Sequence, residues 1–142
     1  MLRILMPVDG SEPALRAVDH VLKNAGLLKS APEIHLLNVQ IALRQGVTAF
    51  VSAAQIEGYH RDEGMKALAA ARAKLDAAKV PYQFHIGVGE EAAEVIARYA
   101  REKKCDQIVM GTRGLGSVAG VLLGSVATKL MHLTEFPVQL VK

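Results

Sequence analysis

A chain of 142 residues that is 51% hydrophobic and 22% charged predicts one ordinary folded domain over residues 1–142 and excludes a disordered protein. The single cysteine excludes an internal disulfide and a zinc site built on cysteine pairs, and it suits a reducing, cytoplasmic compartment. The net charge is only +3, the basic residues are scattered and Trp is absent, which disfavours a nucleic-acid partner.

The first third of the chain predicts a strand, a helix and a second strand. Residues 2–8 form an apolar run typical of a buried strand, and Asp9 and Gly10 follow as a tight turn. Ser11 can cap the helix that comes next. The apolar stripe predicted for that helix consists of Leu15, Val18, Leu22 and Ala25. Residues 33–39 predict the second strand.

The middle of the chain is harder to interpret. Residues 40–59 show weak periodicity, interrupted by Gly46 and Gly58, and support no assignment. An alanine-rich helix is predicted over about residues 61–79, followed by a third strand at residues 82–86. Residues 87–89 then predict a turn into a helix that is opened by Glu90 and Glu91.

The last third predicts a strand at residues 107–110, a glycine-rich segment over residues 111–125, a short helix and a final strand at residues 137–141. Strands that alternate with helices predict an α/β fold, a parallel doubly wound sheet of the flavodoxin or Rossmann type with helices on both faces. Ligands of such folds bind at the carboxyl ends of the strands, at the switch point. The most apolar stretch, residues 118–127, is shorter than the roughly 20 residues that a bilayer needs, so no membrane partner is expected.

Generic phosphate-binding patterns do not explain the glycine-rich segment. Gly111 and Gly116 have the spacing of a P-loop, but Ser117 stands where the lysine should be. Relaxed dinucleotide fingerprints begin at Gly87 and at Gly114, and neither follows the first strand. These patterns alone leave a phosphate cradle and a purely structural loop equally open.

A longer motif resembles a known signature. Gly111-x2-Gly114-x9-Gly124-Ser125 is similar to the nucleotide-binding signature of the universal stress protein family. Residues 4–11 resemble the first strand and turn of that family, and residues 136–141 resemble its last strand, so the resemblance covers the whole chain. Residues 40–60 match nothing in the family pattern and lie where the family varies.

The resemblance implies a five-stranded sheet of order 3-2-1-4-5 and binding of ATP, or of ADP or AMP. Pro7, Val8 and Asp9 would line the adenine and ribose side, and Asp9 would accept from ribose hydroxyls or lie near a magnesium ion. Val39 would contact adenine. Met110 and Gly111 would pass under the nucleoside.

The phosphates would be held by backbone N–H groups and one hydroxyl, with help from a positive charge. The residues implied for this end of the site are Gly114, Gly124, Ser125, Val126 and, by its charge, Arg113. Three structural alternatives stay open: Asp9 could serve only the turn, Ser125 could only cap a helix, and the glycines could serve only close helix–sheet packing.

Three functions follow from the resemblance and the motif. The first is a cytoplasmic, nucleotide-responsive stress or regulatory module without catalytic residues. The second is a slow ATPase or autokinase that uses Asp9, Arg113 and the hydroxyls of Ser117 and Ser125. The third is a partner-binding module with an empty pocket. The resemblance also implies a homodimer through Val138–Val141, because the last strand would be an exposed sheet edge.

The remaining reactive side chains predict no further site. The five histidines show no metal-ligand spacing. Cys105 lies beside Asp106 without groups that would activate a thiolate, so we expect it to be a small buried hydrophobic side chain.

Overall fold

The computed structural model describes residues 1–114 and 123–142. Within these ranges strands and helices alternate along the chain, except that two helices lie between the second and third strands. The strands are β1 (Arg3–Pro7), β2 (Glu33–Ile41), β3 (Tyr82–Gly89), β4 (Gln107–Gly111) and β5 (Val138–Val141). The helices are α1 (Glu12–Ala25), α2 (Gln45–Thr48), α3 (Ala53–Ala77), α4 (Ala92–Glu102) and α5 (Ser125–Leu133).

The five strands form one parallel sheet of order β3-β2-β1-β4-β5, which confirms the expected fold. β1 pairs with β2 from Arg3 to Pro7, whereas its pairing with β4 covers only Ile4 and Leu5. Beyond Leu5, therefore, β1 and β4 part. A crevice opens at this switch point, where folds of this type bind ligands.

The sheet separates two apolar layers because successive side chains of a strand point to opposite faces. Ile4 and Met6 of β1 pack on one face, in the layer that contains residues of α1 and α3. Leu5 packs on the other face with residues of α4 and α5. Both layers contain fully buried aliphatic side chains, so the sheet below the crevice is well packed on both faces.

α1 begins as predicted, but its buried face differs. Ser11 is the N-cap, and its side-chain oxygen accepts a hydrogen bond from the backbone N–H of Ala14 at 3.4 Å. Of the predicted stripe, Val18 is fully buried, and Leu15 and Leu22 are partly buried and pack against the core. The fully buried face is made of Ala14, Ala17, Val18 and Val21. Small residues there let the helix lie close to the sheet.

The segment without an assignment contains α2 and the beginning of α3. α3 starts at Ala53, eight residues before the predicted start at residue 61, because Ser52 and Gln55 form a capping box. Gly58 does not break the helix. After α3, the predicted turn at residues 87–89 is wrong. These residues extend β3, since they continue its pairing with β2 as far as Gly89.

We find no helix in the described part of the chain that is both long and apolar enough to cross a bilayer.

Candidate functional site

A cleft of about 420 Å³ lies at the carboxyl ends of β1, β2 and β4, beside the start of α5. Every residue expected in a nucleotide site lines this cleft. These residues are Pro7, Val8, Asp9, Val39, Met110, Gly111, Arg113, Gly114, Gly124, Ser125 and Val126. The structure thus brings together four chain segments that are up to 119 positions apart in the sequence (residues 7–126).

Asp9 lines the cleft at the turn after β1, beside Gly114. One carboxylate oxygen, Oδ1, accepts a hydrogen bond from the N–H of Ser11 at 3.0 Å, and Gly10 supplies the positive φ of 84° that the turn needs. The other oxygen, Oδ2, occupies the space that a Cβ at position 114 would need. Asp9 therefore serves the turn and also lies in the cleft, and glycine at 114 is what permits its approach.

Gly111 has a different reason to be glycine. A Cβ at this position would lie 2.7 Å from the carbonyl carbon of Pro13 in the first turn of α1. Close helix–sheet packing therefore requires Gly111, although the residue also lines the cleft. The two glycines of one motif thus meet different neighbours: a flexible carboxylate at Gly114 and helix backbone at Gly111.

The start of α5 forms the polar end of the cleft. Gly124 is the N-cap and Ser125 is the first helical residue, so Ser125 does not occupy the cap position that the structural alternative gave it. The N–H of Gly124 donates to the carbonyl oxygen of Thr112 at 2.7 Å. The expected anion donors of this turn are therefore the N–H groups of Ser125 and Val126, for which the helix itself provides no acceptor.

Other parts of the cleft lining are apolar. Val39, Ile41, Ile96 and Met110 lie there, and they come from β2, α4 and β4. A slot with apolar walls and polar groups at one end suits a flat ring that carries a charged substituent.

Two polar residues of the cleft were not predicted. Asn38 is 3% exposed, and its Nδ2 donates to the carbonyl oxygen of Val8 at 2.8 Å. Its Oδ1 accepts a hydrogen bond from Nε2 of Gln40 at 2.7 Å. Thr112 is also buried. An asparagine inside the apolar run of residues 33–39 was the available signal for Asn38. The other lining residues that the sequence did not indicate are Ala14, Leu37, Ile41, Ala92, Ile96 and Ala127.

The histidines and the cysteine lie outside the cleft lining. His35 and His85 meet at the β2–β3 pair, with 3.0 Å between Nδ1 of His35 and Nε2 of His85. Cys105 is buried as expected, and burial raises the pKa of its thiol to about 11, which keeps it protonated and unreactive. In residues 1–114 and 123–142 we find no group of three or more His, Cys, Asp or Glu side chains arranged to hold a metal ion.

Comparison with known proteins agrees with this architecture. Residues 1–142 match the family described as the universal stress protein family. The chain is 31% identical over 140 residues to universal stress protein MJ0531 of Methanocaldococcus jannaschii, covering 99% of this chain and 81% of that protein.

Solved structures show the same fold. The structure of hypothetical protein MJ0577 superposes with a TM-score of 0.81 at 28% identity, covering 99% of this chain and 94% of the other. A universal stress protein in complex with cAMP superposes with a TM-score of 0.71 at 25% identity, covering 99% and 97% of the two chains.

Proposed function

The chain belongs to the universal stress protein family, and on that premise we propose that its cleft binds an adenine nucleotide: ATP, ADP or AMP. The observation that carries the proposal is the convergence of eleven implied contact residues on one cleft at the switch point of the sheet. A structurally similar member of the family has been solved with cAMP, which supports an adenine nucleotide as the ligand class.

The apolar half of the cleft is the proposed place of the base. Val39 and Met110 line it from β2 and β4, the two strands that flank the end of β1. Asp9, at the turn after β1, is the proposed partner of the ribose hydroxyls, since a carboxylate accepts hydrogen bonds from both.

The phosphates are proposed to lie at the start of α5. The N–H groups of Ser125 and Val126 and the hydroxyl of Ser125 are the donors there, and the helix dipole adds a favourable field. Arg113 lines the same cleft and supplies a positive charge. A magnesium ion would fit the donor chemistry, because Mg²⁺ is commonly held by one carboxylate, here Asp9, together with phosphate oxygens.

We propose that residues 1–142 act as one nucleotide-responsive stress or regulatory module, in the cytoplasm, where the buried thiol of Cys105 suits a reducing setting. The residues above are binding groups: they position a base, a ribose and an anion. The alternative of a slow ATPase or autokinase draws partly on Ser117, which lies outside the described residues.

We also propose a homodimer through Val138–Val141. β5 is an edge of the sheet, and its pairing partner on the inner side is β4. An uncovered edge favours pairing with a second copy about a two-fold axis.

The test is the nucleotide content of the purified protein. The protein is denatured, and the supernatant is separated by ion exchange with detection at 260 nm, where a chain without Trp absorbs little. Near-stoichiometric adenine nucleotide is expected. An empty protein is then titrated with ATP, ADP and AMP by calorimetry, and no binding up to millimolar concentration would contradict the proposal.

A matched pair of variants excludes nucleotide carried over by chance. Gly114→Ala places a methyl group against Asp9 in the cleft, whereas Gly58→Ala adds one on α3 at ordinary distance from Arg61. We expect Gly114→Ala to purify empty and Gly58→Ala to purify with the same nucleotide content as the wild type.

A further inference from the structure

Asn38 is a buried polar side chain with fixed partners at the edge of the cleft. The amide donates through Nδ2 to the Val8 carbonyl at 2.8 Å and accepts at Oδ1 from Gln40 at 2.7 Å. Because the carbonyl of Val8 can only accept, the amide is oriented with its nitrogen toward Val8, and its oxygen is left to accept from Gln40. The side chain is therefore held in one position before any ligand enters.

The backbone of β2 alternates between its two neighbouring strands. The N–H of Glu33 donates to Leu2, and the carbonyl of Leu37 accepts from Val8, both at 2.8 Å, so the odd-numbered residues direct their backbone groups toward β1. The N–H and C=O of Val39, another odd-numbered residue, must therefore also point toward the β1 side of β2. The pairing of the two strands ends at Pro7 and Leu37, so Val39 faces the open cleft.

Asn38 changes the hydrogen bonding at this point. In an uninterrupted parallel ladder, the carbonyl of Val8 would accept from the N–H of Val39, two residues after Leu37. Among the described residues, the donor to that carbonyl is instead the side-chain amide of Asn38. The β1–β2 ladder is thus ended by a side chain, and the backbone of Val39 is kept out of it.

We propose that Asn38 is a positioning residue of the nucleotide site: its amide takes the carbonyl of Val8 and leaves the N–H and C=O of Val39 to pair with the edge of a 6-aminopurine. Such a base presents an amino donor beside a ring-nitrogen acceptor, which is the complement of one backbone N–H and C=O pair. A 6-oxopurine presents the reverse order and is rejected. The inference rests on the proposed function and gives the reason for its base preference.

Loss of the amide has a specific consequence. With an apolar side chain at position 38, the carbonyl of Val8 is buried without its donor, and the N–H of Val39 is the nearest group that an extended ladder would supply. The ladder then gains one bond and the base edge loses its donor. Discrimination between purines should fall even though the fold is kept.

The experiment compares Asn38→Leu with a matched control. Asn24→Leu removes an amide that donates to the His20 carbonyl at 2.8 Å on α1, outside the cleft lining. Calorimetry gives the dissociation constants for AMP and IMP. The wild type and Asn24→Leu should prefer AMP by about tenfold or more, and Asn38→Leu should reduce the preference to about threefold or less.

Amide hydrogen exchange provides a second readout. In the free wild type, the N–H of Val39 should exchange faster than that of Leu37, which lies within the β1–β2 ladder, and it should become protected when AMP binds. In free Asn38→Leu, the same N–H should already be protected.

The outcomes separate the role of Asn38 from the proposal that the cleft binds a nucleotide. If the wild type binds AMP and Asn38→Leu keeps the full AMP preference, the role of Asn38 is overturned and the nucleotide site stands. If the wild type binds no adenine nucleotide at millimolar concentration, both are overturned. Should Asn38→Leu fail to fold by circular dichroism, hydrogen exchange of the wild type decides the question: a Val39 N–H that is already protected in the free protein overturns the role of Asn38.

Discussion

The backbone N–H of Gly124 donates to the carbonyl oxygen of Thr112 at 2.7 Å, which ties the start of α5 to the end of β4. The N–H of Thr112 in turn donates to the carbonyl of Val141 in β5 at 3.0 Å. The first turn of α5 is therefore tied through Thr112 to the ends of both β4 and β5. Its donors toward the cleft are set in place before an anion arrives, which lowers the entropic cost of binding.

The first prediction concerns the hydroxyl at this anchored turn. Ser125→Ala should weaken AMP binding about three- to tenfold by removing one charge-assisted hydrogen bond, and it should leave adenosine binding nearly unchanged. Calorimetric titration with both ligands measures the difference. Thr128→Ala is the control, because its hydroxyl donates within the helix to the Gly124 carbonyl at 3.0 Å. Equal losses for AMP and adenosine would argue against a phosphate at this turn.

The second prediction separates the two glycines of the motif. In Gly114→Ala the described atoms nearest to the new Cβ belong to the Asp9 carboxylate, the end of a side chain that can rotate away, so we expect at least about tenfold weaker nucleotide binding with stability near that of the wild type. In Gly111→Ala the Cβ meets helix backbone at Pro13, 2.7 Å away, which cannot yield locally. The free energy of unfolding should fall by about 1–3 kcal/mol, as measured by urea denaturation. The assignment of Gly114 to the site fails if both variants lose the same stability.

The fold could be predicted from the sequence because strands that alternate with helices form a parallel sheet with few possible topologies. The glycine motif then located the cleft after β4, where all eleven expected residues are found. The start of α3 was missed because Gly58 was read as a breaker, although Ser52 and Gln55 carried the capping signal.

The roles of Asn38 and of the histidine pair could not be predicted in this way, because they depend on strand pairing. Asn38 matters only because β1 stops opposite Leu37, one residue before it. His35 and His85 are 50 positions apart, and only the register of β2 with β3 brings their rings to a centroid distance of 5.3 Å. A single sequence contains no spacing from which that contact could be calculated.

The third prediction follows from this histidine pair. Nε2 of His35 lies 2.7 Å from a carboxylate oxygen of Glu33, which can only accept, so a neutral His35 accepts at Nδ1 from Nε2–H of His85. Burial, and after it the electrostatic interactions with Lys103 and His35, together lower the pKa of His85 to about 4. The folded protein therefore holds His85 neutral, whereas the unfolded chain protonates it near pH 6.5.

Because the unfolded state binds the proton first, the free energy of unfolding should fall as pH falls from about 6.5 to about 4. The slope should stay below about 1.4 kcal/mol per pH unit, since His85 is partly solvated. His85→Phe should flatten the slope, and His132→Phe, at an exposed position on α5, should keep it. Hydrogen bonding from His35 lowers the pKa of Glu33, so the contribution of this carboxylate to stability changes with pH in a lower range than that of His85. An unchanged slope in His85→Phe, measured by urea denaturation above about pH 5, would contradict the assignment.

The last prediction tests the dimer through the outer edge of β5. The carbonyl of Pro137 accepts from Ile108, and that of Val141 accepts from Thr112, so odd-numbered residues of β5 face β4. Val138 and Leu140 must then direct their backbone groups outward. Proline at position 140 would remove an outward N–H without touching the inner ladder, and an outward N–H on an edge strand is a setting in which proline is tolerated.

Leu140→Pro should therefore weaken dimerisation by about ten- to a hundredfold, because two symmetry-related hydrogen bonds are lost, while the monomer stays folded. Leu140→Ala is the matched control: it also removes the leucine side chain, which packs partly buried on the α4 side of the sheet, but it keeps the N–H. Sedimentation equilibrium at micromolar protein distinguishes the cases. If Leu140→Pro and Leu140→Ala dissociate equally, the contact depends on side-chain packing and not on edge pairing. A wild type that sediments at the mass of one chain excludes the dimer itself, since the edge would then be left unpaired in solution.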